Sequence, residues 1–138
     1  MGCAPDSYNR WVQTKKNFDN LHKLYNASEL EGKFWDPIIV VGAGPSMEDF
    51  ITYAKKYNLE KKSLIIAVDA SLRRLLKEGI KPHIVVRCER KLTGIFDGVT
   101  KEDTQGILYC AYNWCDPHFF KLFDSSAMLY REIGRAHV

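Results

Sequence analysis

Residues 37–46 read Pro37-Ile-Ile-Val-Val41-Gly42-Ala43-Gly44-Pro45-Ser46, a short unbroken apolar run that stops at two glycines. A run of this kind suits a strand buried on both faces, as in a parallel sheet. The periodicity then changes, and Met47 to Tyr57 reads as a helix. Strand, glycine turn and helix in that order form the first half of a βαβ unit.

The same alternation recurs downstream. Ser63-Leu-Ile-Ile-Ala-Val68 is a second strand, and Ala70 to Glu78 a helix that Gly79 stops. His83-Ile-Val-Val-Arg87 is a third strand. Residues 91–103 read as polar loop with a helical turn. Gly106-Ile-Leu-Tyr-Cys110 is a fourth strand, Asp116 to Phe123 a further helix, and Ala127-Met-Leu-Tyr130 the start of a fifth strand. Strands alternating with helices predict an α/β, Rossmann-like, mostly parallel sheet with flanking helices. Upstream, Trp11, Phe18, Leu21, Leu24 and Tyr25 fall at helical spacing, so residues 1–32 are expected to be a helical segment that docks on the domain or on a partner.

Composition excludes several classes. The chain has 138 residues, 46% hydrophobic and 27% charged, which is ordinary for one globular domain. No apolar run approaches the ~20 residues of a membrane helix. A net charge of +3 is too small for a nucleic-acid binder and suits an anionic small ligand. Cys3, Cys88, Cys110 and Cys115 form no CxxC pair. With no secretory pattern at the start, the cysteines predict a cytoplasmic protein with thiols used for packing.

Open parallel sheets bind ligands beyond the carboxyl ends of their strands, so chemistry is expected just after Val41, Val68, Val86 and Tyr109. In the loop Gly42-Ala43-Gly44-Pro45-Ser46, glycine at 42 permits a tight turn and glycine at 44 lets the backbone approach a phosphate. The following helix offers free N–H groups and its positive end, and Ser46 offers a cap or a hydroxyl. The dinucleotide fingerprint GxGxxG fails at Met47, and the GxxxxGK[ST] phosphate loop is absent. Asp69 ends the second strand and Glu89 follows the third, a carboxylate pair suited to Mg²⁺ with phosphate oxygens. Arg87 could clamp phosphate, and Asn113 offers a hydrogen-bonding group at the fourth strand end. Asp69 also reads as a helix cap, Trp114 as a stacking or loop-anchoring ring, and His83 as a packing residue.

Three motifs in order, Val40-Val-Gly-Ala-Gly-Pro-Ser-Met47, Ile65-Ile-Ala-Val-Asp-Ala-Ser-Leu72 and Leu76-Lys-Glu-Gly-Ile-Lys-Pro-His-Ile-Val-Val86, resemble the domain shared by 6-hydroxymethylpterin diphosphokinases and motility accessory factors. The resemblance covers roughly residues 26–130 and departs from the family pattern at His83, where an aspartate is usual. It implies an enzyme, a nucleotide-dependent transferase. Carried over by position, Gly42, Gly44, Pro45 and Ser46 would form the nucleotide loop, and Asp69 and Glu89 would serve catalysis and Mg²⁺; Ala43, Arg87 and Asn113 are expected as further nucleotide contacts from their place at the strand ends. One branch implies diphosphate transfer from ATP to a hydroxymethylpterin-like acceptor. The other implies a glycosyltransferase using a nucleotide-activated sugar such as a nonulosonic acid. A non-catalytic nucleotide-binding module, assembling through its N-terminal helix, is the third reading.

Ile133-Gly-Arg-Ala-His-Val138 coincides with a one-frame translation of a common sequencing adapter, and Glu132 fits the codon before it. The expected organisation is therefore a helical segment at 1–32, a C-terminally truncated nucleotide-binding domain at 33–131, and a non-native tail at 132–138. Such a fragment is expected to be inactive by itself.

Overall fold

A computed structural model describes residues 24–26, 37–89, 91, 93–112 and 114–129. Its centre is a six-stranded sheet of β1 (Leu24–Asn26), β2 (Ile38–Val41), β3 (Leu64–Val68), β4 (Ile84–Arg87), β5 (Leu108–Tyr112) and β6 (Ser125–Leu129). All neighbouring pairs are parallel, in the spatial order β1-β6-β5-β4-β3-β2. From β2 to β6, strands consecutive in sequence are therefore neighbours in space. When connections share one hand, such an order sends every crossover to the same face.

The core shows this arrangement. Val41, Ile65, Ala67, Val85, Tyr109, Ala111 and Met128 point to one face and pack with side chains from every crossover. From α1 (Met47–Tyr57) come Ile51 and Ala54, and from α3 (Leu72–Lys77) come Leu72 and Leu75. Phe96, from the 3₁₀ turn Gly94–Phe96, joins Phe119 and Phe120, from the 3₁₀ helix Pro117–Leu122, and Phe123. The alternate strand residues Leu64, Ile84, Cys110 and Ala127 are buried on the opposite face. A short helix, α2 (Leu59–Lys62), links α1 to β3.

Two helix ends are set by local chemistry. Gly79 takes φ +76°, its N–H donates to Leu76 O at 3.0 Å, and the Ile80 N–H donates to Leu75 O at 3.0 Å. This paired closure is the Schellman arrangement, and it favours glycine because a Cβ strains at that φ. In α1, Glu48 and Asp49 open the helix and Lys55 and Lys56 close it, matching the helix dipole. A surface network joins α1 to α3: Arg74 binds both oxygens of Glu48, at 2.6 and 3.0 Å, while Glu78 accepts from Arg74 at 2.6 Å and from Lys55.

Two expectations need correction. Leu24 and Tyr25, placed by their spacing in a helix, belong to a strand that pairs with β6 at Ser126–Met128. Residues 1–23, which carry the rest of the expected helix, and the tail at 132–138 lie outside the described residues. Residues 117–122 adopt a 3₁₀ rather than an α-helix; the Asp116 carboxylate caps it by accepting from the His118 N–H at 2.8 Å.

Candidate functional site

The strand register defines one rim. Val41 pairs with Ala67, Val68 with Val86, and Arg87 with Ala111, so the residues just beyond β2, β3 and β4 stand side by side. Gly42 to Ser46, Asp69 and Glu89 thus share the carboxyl edge of the sheet.

Gly42, Ala43, Gly44, Pro45 and Ser46 are all exposed. The turn closes through Met47 N–H to Gly44 O at 3.1 Å and Phe50 N–H to Ser46 O at 3.1 Å. Among the described residues, no turn hydrogen bond uses the N–H groups of Ala43, Gly44 or Ser46. The Ser46 hydroxyl makes no capping bond. Neither Gly42 nor Gly44 has positive φ, and a Cβ built on either meets nothing within 4 Å. The tight-turn reason for glycine at 42 is therefore set aside, because its backbone suits any residue. What both glycines provide is open access to the backbone from outside. Glu48 and Asp49, in the first helical turn, compete with an incoming anion for the helix's positive end, and Arg74 engages Glu48.

Asp69 is bound on both oxygens. Oδ1 accepts from the Ala70 N–H at 2.7 Å, and Oδ2 accepts from Arg87 Nη1 at 2.6 Å. Arg87 is only 2% exposed. Its Nη2 donates to Lys91 O at 2.7 Å and to Thr93 Oγ1 at 3.3 Å, and its guanidinium stands 5.1 Å from the Phe119 ring centroid. The phosphate clamp expected of Arg87 is replaced by a buried hub that joins Asp69, the loop after β4 and the aromatic core. The reason is register, which sets Arg87 beside the end of β3.

The metal role expected of Asp69 and Glu89 does not fit this arrangement. Arg87 already neutralises Asp69, and a cation beside it would face the guanidinium. Glu89 is exposed, and its Oε1 accepts from the Lys91 N–H at 3.1 Å. Among the described residues, no group of three His, Cys, Asp or Glu side chains could hold a metal ion. Asn113 lies outside the described residues.

The remaining candidates are structural. His83 extends the ladder: its N–H donates to Ile65 O at 2.9 Å and its Nδ1 accepts from the Ile65 N–H at 3.0 Å. Trp114 stacks on Tyr112, with centroids 4.3 Å apart, and donates to Cys88 O at 3.4 Å. Burial, and then the Asp69 charge, raise the Cys88 thiol pKa. Burial pushes Cys115 up to about 12. Tyr109 is fully buried, its hydroxyl has no hydrogen-bond partner among the described residues, and burial raises its pKa. The sequence reading passed over Ser71, which is fully buried with Oγ 2.8 Å from Val68 O and 3.3 Å from Val41 O. A small polar residue two positions past an acid at a strand end was its only signal.

A parallel sheet with an open glycine loop and an arginine-held aspartate on its carboxyl rim defines a Rossmann-like α/β domain, a class in which ligands bind beyond the carboxyl ends of the strands. The chain belongs to the 6-hydroxymethylpterin diphosphokinase MptE-like family, whose profile matches residues 13–135. Its fold is similar to that of the MAf glycosyltransferase from Magnetospirillum magneticum AMB-1, with a TM-score of 0.56 and 19% identity. The alignment covers 80% of this chain and 16% of that one, so the chain spans a small part of that protein's length. A search of curated proteins finds no match. Among the described residues, no helix is long and apolar enough to cross a membrane.

Proposed function

We propose that this chain is the nucleotide-binding part of a transferase, with residues 42–46 as the phosphate cradle. One observation carries the reading: two glycines face open space on the carboxyl edge of the sheet, and neither φ nor packing requires them. Phosphate oxygens would accept from the N–H groups of Ala43, Gly44 and Ser46, with the Ser46 hydroxyl as a further donor. Asp69, oriented by Arg87, would accept from a hydroxyl of the nucleotide or of the acceptor. Glu89 supplies a second carboxylate on the rim.

The family favours diphosphate transfer from ATP to a hydroxymethylpterin-like acceptor. There the acceptor hydroxyl attacks the β-phosphorus and AMP leaves with the bridging oxygen. The hydroxyl proton passes to the exposed Glu89 carboxylate. Such chemistry depends on positioning and electrostatics. The fold likeness to a glycosyltransferase favours a second reading, in which the same loop holds a nucleotide-activated sugar.

Thermal stabilisation by ATP and by cytidine nucleotides, each with and without Mg²⁺, tests both. ATP stabilisation that is lost in Gly44→Val supports the first reading, and stabilisation by the cytidine nucleotide alone supports the second. Stabilisation by neither, or equal stabilisation of Gly44→Val, removes the cradle.

A further inference from the structure

The paired part of β2 ends where Val41 meets Ala67, so the ladder does not hold the chain beyond that point. Yet the glycine loop and Asp69 both lie past it. Ser71 fills the gap. Its side chain is fully buried, and its hydroxyl lies between the last carbonyls of two neighbouring strands, Val68 O at 2.8 Å and Val41 O at 3.3 Å. The Val68 contact is local and common for a serine in a turn. The Val41 contact spans 30 residues of sequence and has no local cause.

A trans peptide is planar, so the Val41 C=O and the Gly42 N–H point in opposite directions. A donor seated on that carbonyl therefore sets the direction of the first amide of the loop. The same planarity links the Val68 C=O, which shares the single Ser71 O–H proton with the Val41 C=O, to the Asp69 N–H. We propose that Ser71 is a positioning residue, fixing the glycine loop and Asp69 relative to each other across the β2–β3 gap. This goes beyond the nucleotide reading and depends on it only in the binding arm of the test.

The control is Thr104, an equally buried hydroxyl near the opposite end of the strands, where Oγ1 donates to Leu122 O at 2.7 Å. Amide resonances and hydrogen exchange are read on the full chain as wild type, Ser71→Ala and Thr104→Val. Ser71→Ala is expected to shift the Gly42 and Asp69 amides and speed exchange at Gly42, whereas Thr104→Val lowers stability and leaves them in place. ATP affinity should fall about tenfold in Ser71→Ala and not in Thr104→Val, the loss of one net hydrogen bond. If Ser71→Ala does not fold, Ser71→Cys, with its weaker donor, reads the same resonances. Unmoved Gly42 and Asp69 amides, or equal movement in Thr104→Val, overturn the proposal. If the wild type binds no nucleotide, the nucleotide reading falls, and the apo resonances still decide the role of Ser71.

Discussion

Replacing Arg87 by methionine keeps the bulk of the side chain and removes its charge and donors. The change deletes the contact to Asp69 at 2.6 Å, the bonds to Lys91 O and Thr93 Oγ1, and the cation–π contact with Phe119. Breaking a buried pair by removing one partner costs about 3–5 kcal/mol. The Asp69 side chain is 22% exposed and can recover some hydration, which places the cost near the lower end, about 3 kcal/mol. For a domain of this size that lowers Tm by about 10 °C. Asp69→Asn strands a guanidinium that is 2% exposed and should cost a similar amount. The double variant should be less destabilised than the sum, with a coupling of about 2 kcal/mol. Arg87→Lys keeps the charge but lacks the planar fork that serves three acceptors, so it should recover only part of the loss. Urea unfolding at constant m reads all four variants. A cost below about 1 kcal/mol for Arg87→Met, or additivity of the two single changes, would refute the buried hub.

Four other outcomes follow from the same structure. Gly44→Val should leave urea stability within about 0.5 kcal/mol, because its Cβ meets open space, while abolishing ATP stabilisation. Gly79→Ala should cost about 1 kcal/mol in the same unfolding assay, since φ is +76° there. Tyr109→Phe should be neutral or stabilising by about 1 kcal/mol, because it removes a buried hydroxyl that has no partner among the described residues; clear destabilisation would refute that reading. Lys55 and Arg74 hold the Glu78 carboxyl down at about 2 from its usual 4.5. Its contribution is therefore present above pH 4.5 and is lost as pH falls through about 2. The Tm advantage of wild type over Glu78→Gln should shrink across that window, and should also shrink in high salt at neutral pH.

Continuous apolar runs made the bounds of β2, β3 and β4 readable to within one residue, and α1 begins and ends where its periodicity places it; but β2, expected to be buried on both faces, stands last in the order of the described strands, with Ile38 and Val40 exposed. β5 starts two residues later than expected because Gly106 takes φ +84°, a turn conformation that an extended strand excludes. β1 could not be read because its pairing with β6 lies about 100 residues away in sequence, and local spacing carries no trace of such a partner. At the site, strand ends alone placed the glycine loop, Asp69 and Glu89 on one rim. The role of Arg87 depended on register and burial: a charged residue closing an apolar strand reads as solvated until the neighbouring strand sets Asp69 beside it. Ser71 needed both strand ends in view at once.

Residues 42–46 are proposed to bind a nucleotide. Titrating the ¹⁵N-labelled chain with ATP, and separately with CMP, while following every amide tests it most directly. Saturable shifts are expected at Ala43, Gly44 and Ser46, extending to Asp69, with one nucleotide clearly preferred. Shifts confined to other surfaces, or none at millimolar ligand, would contradict it.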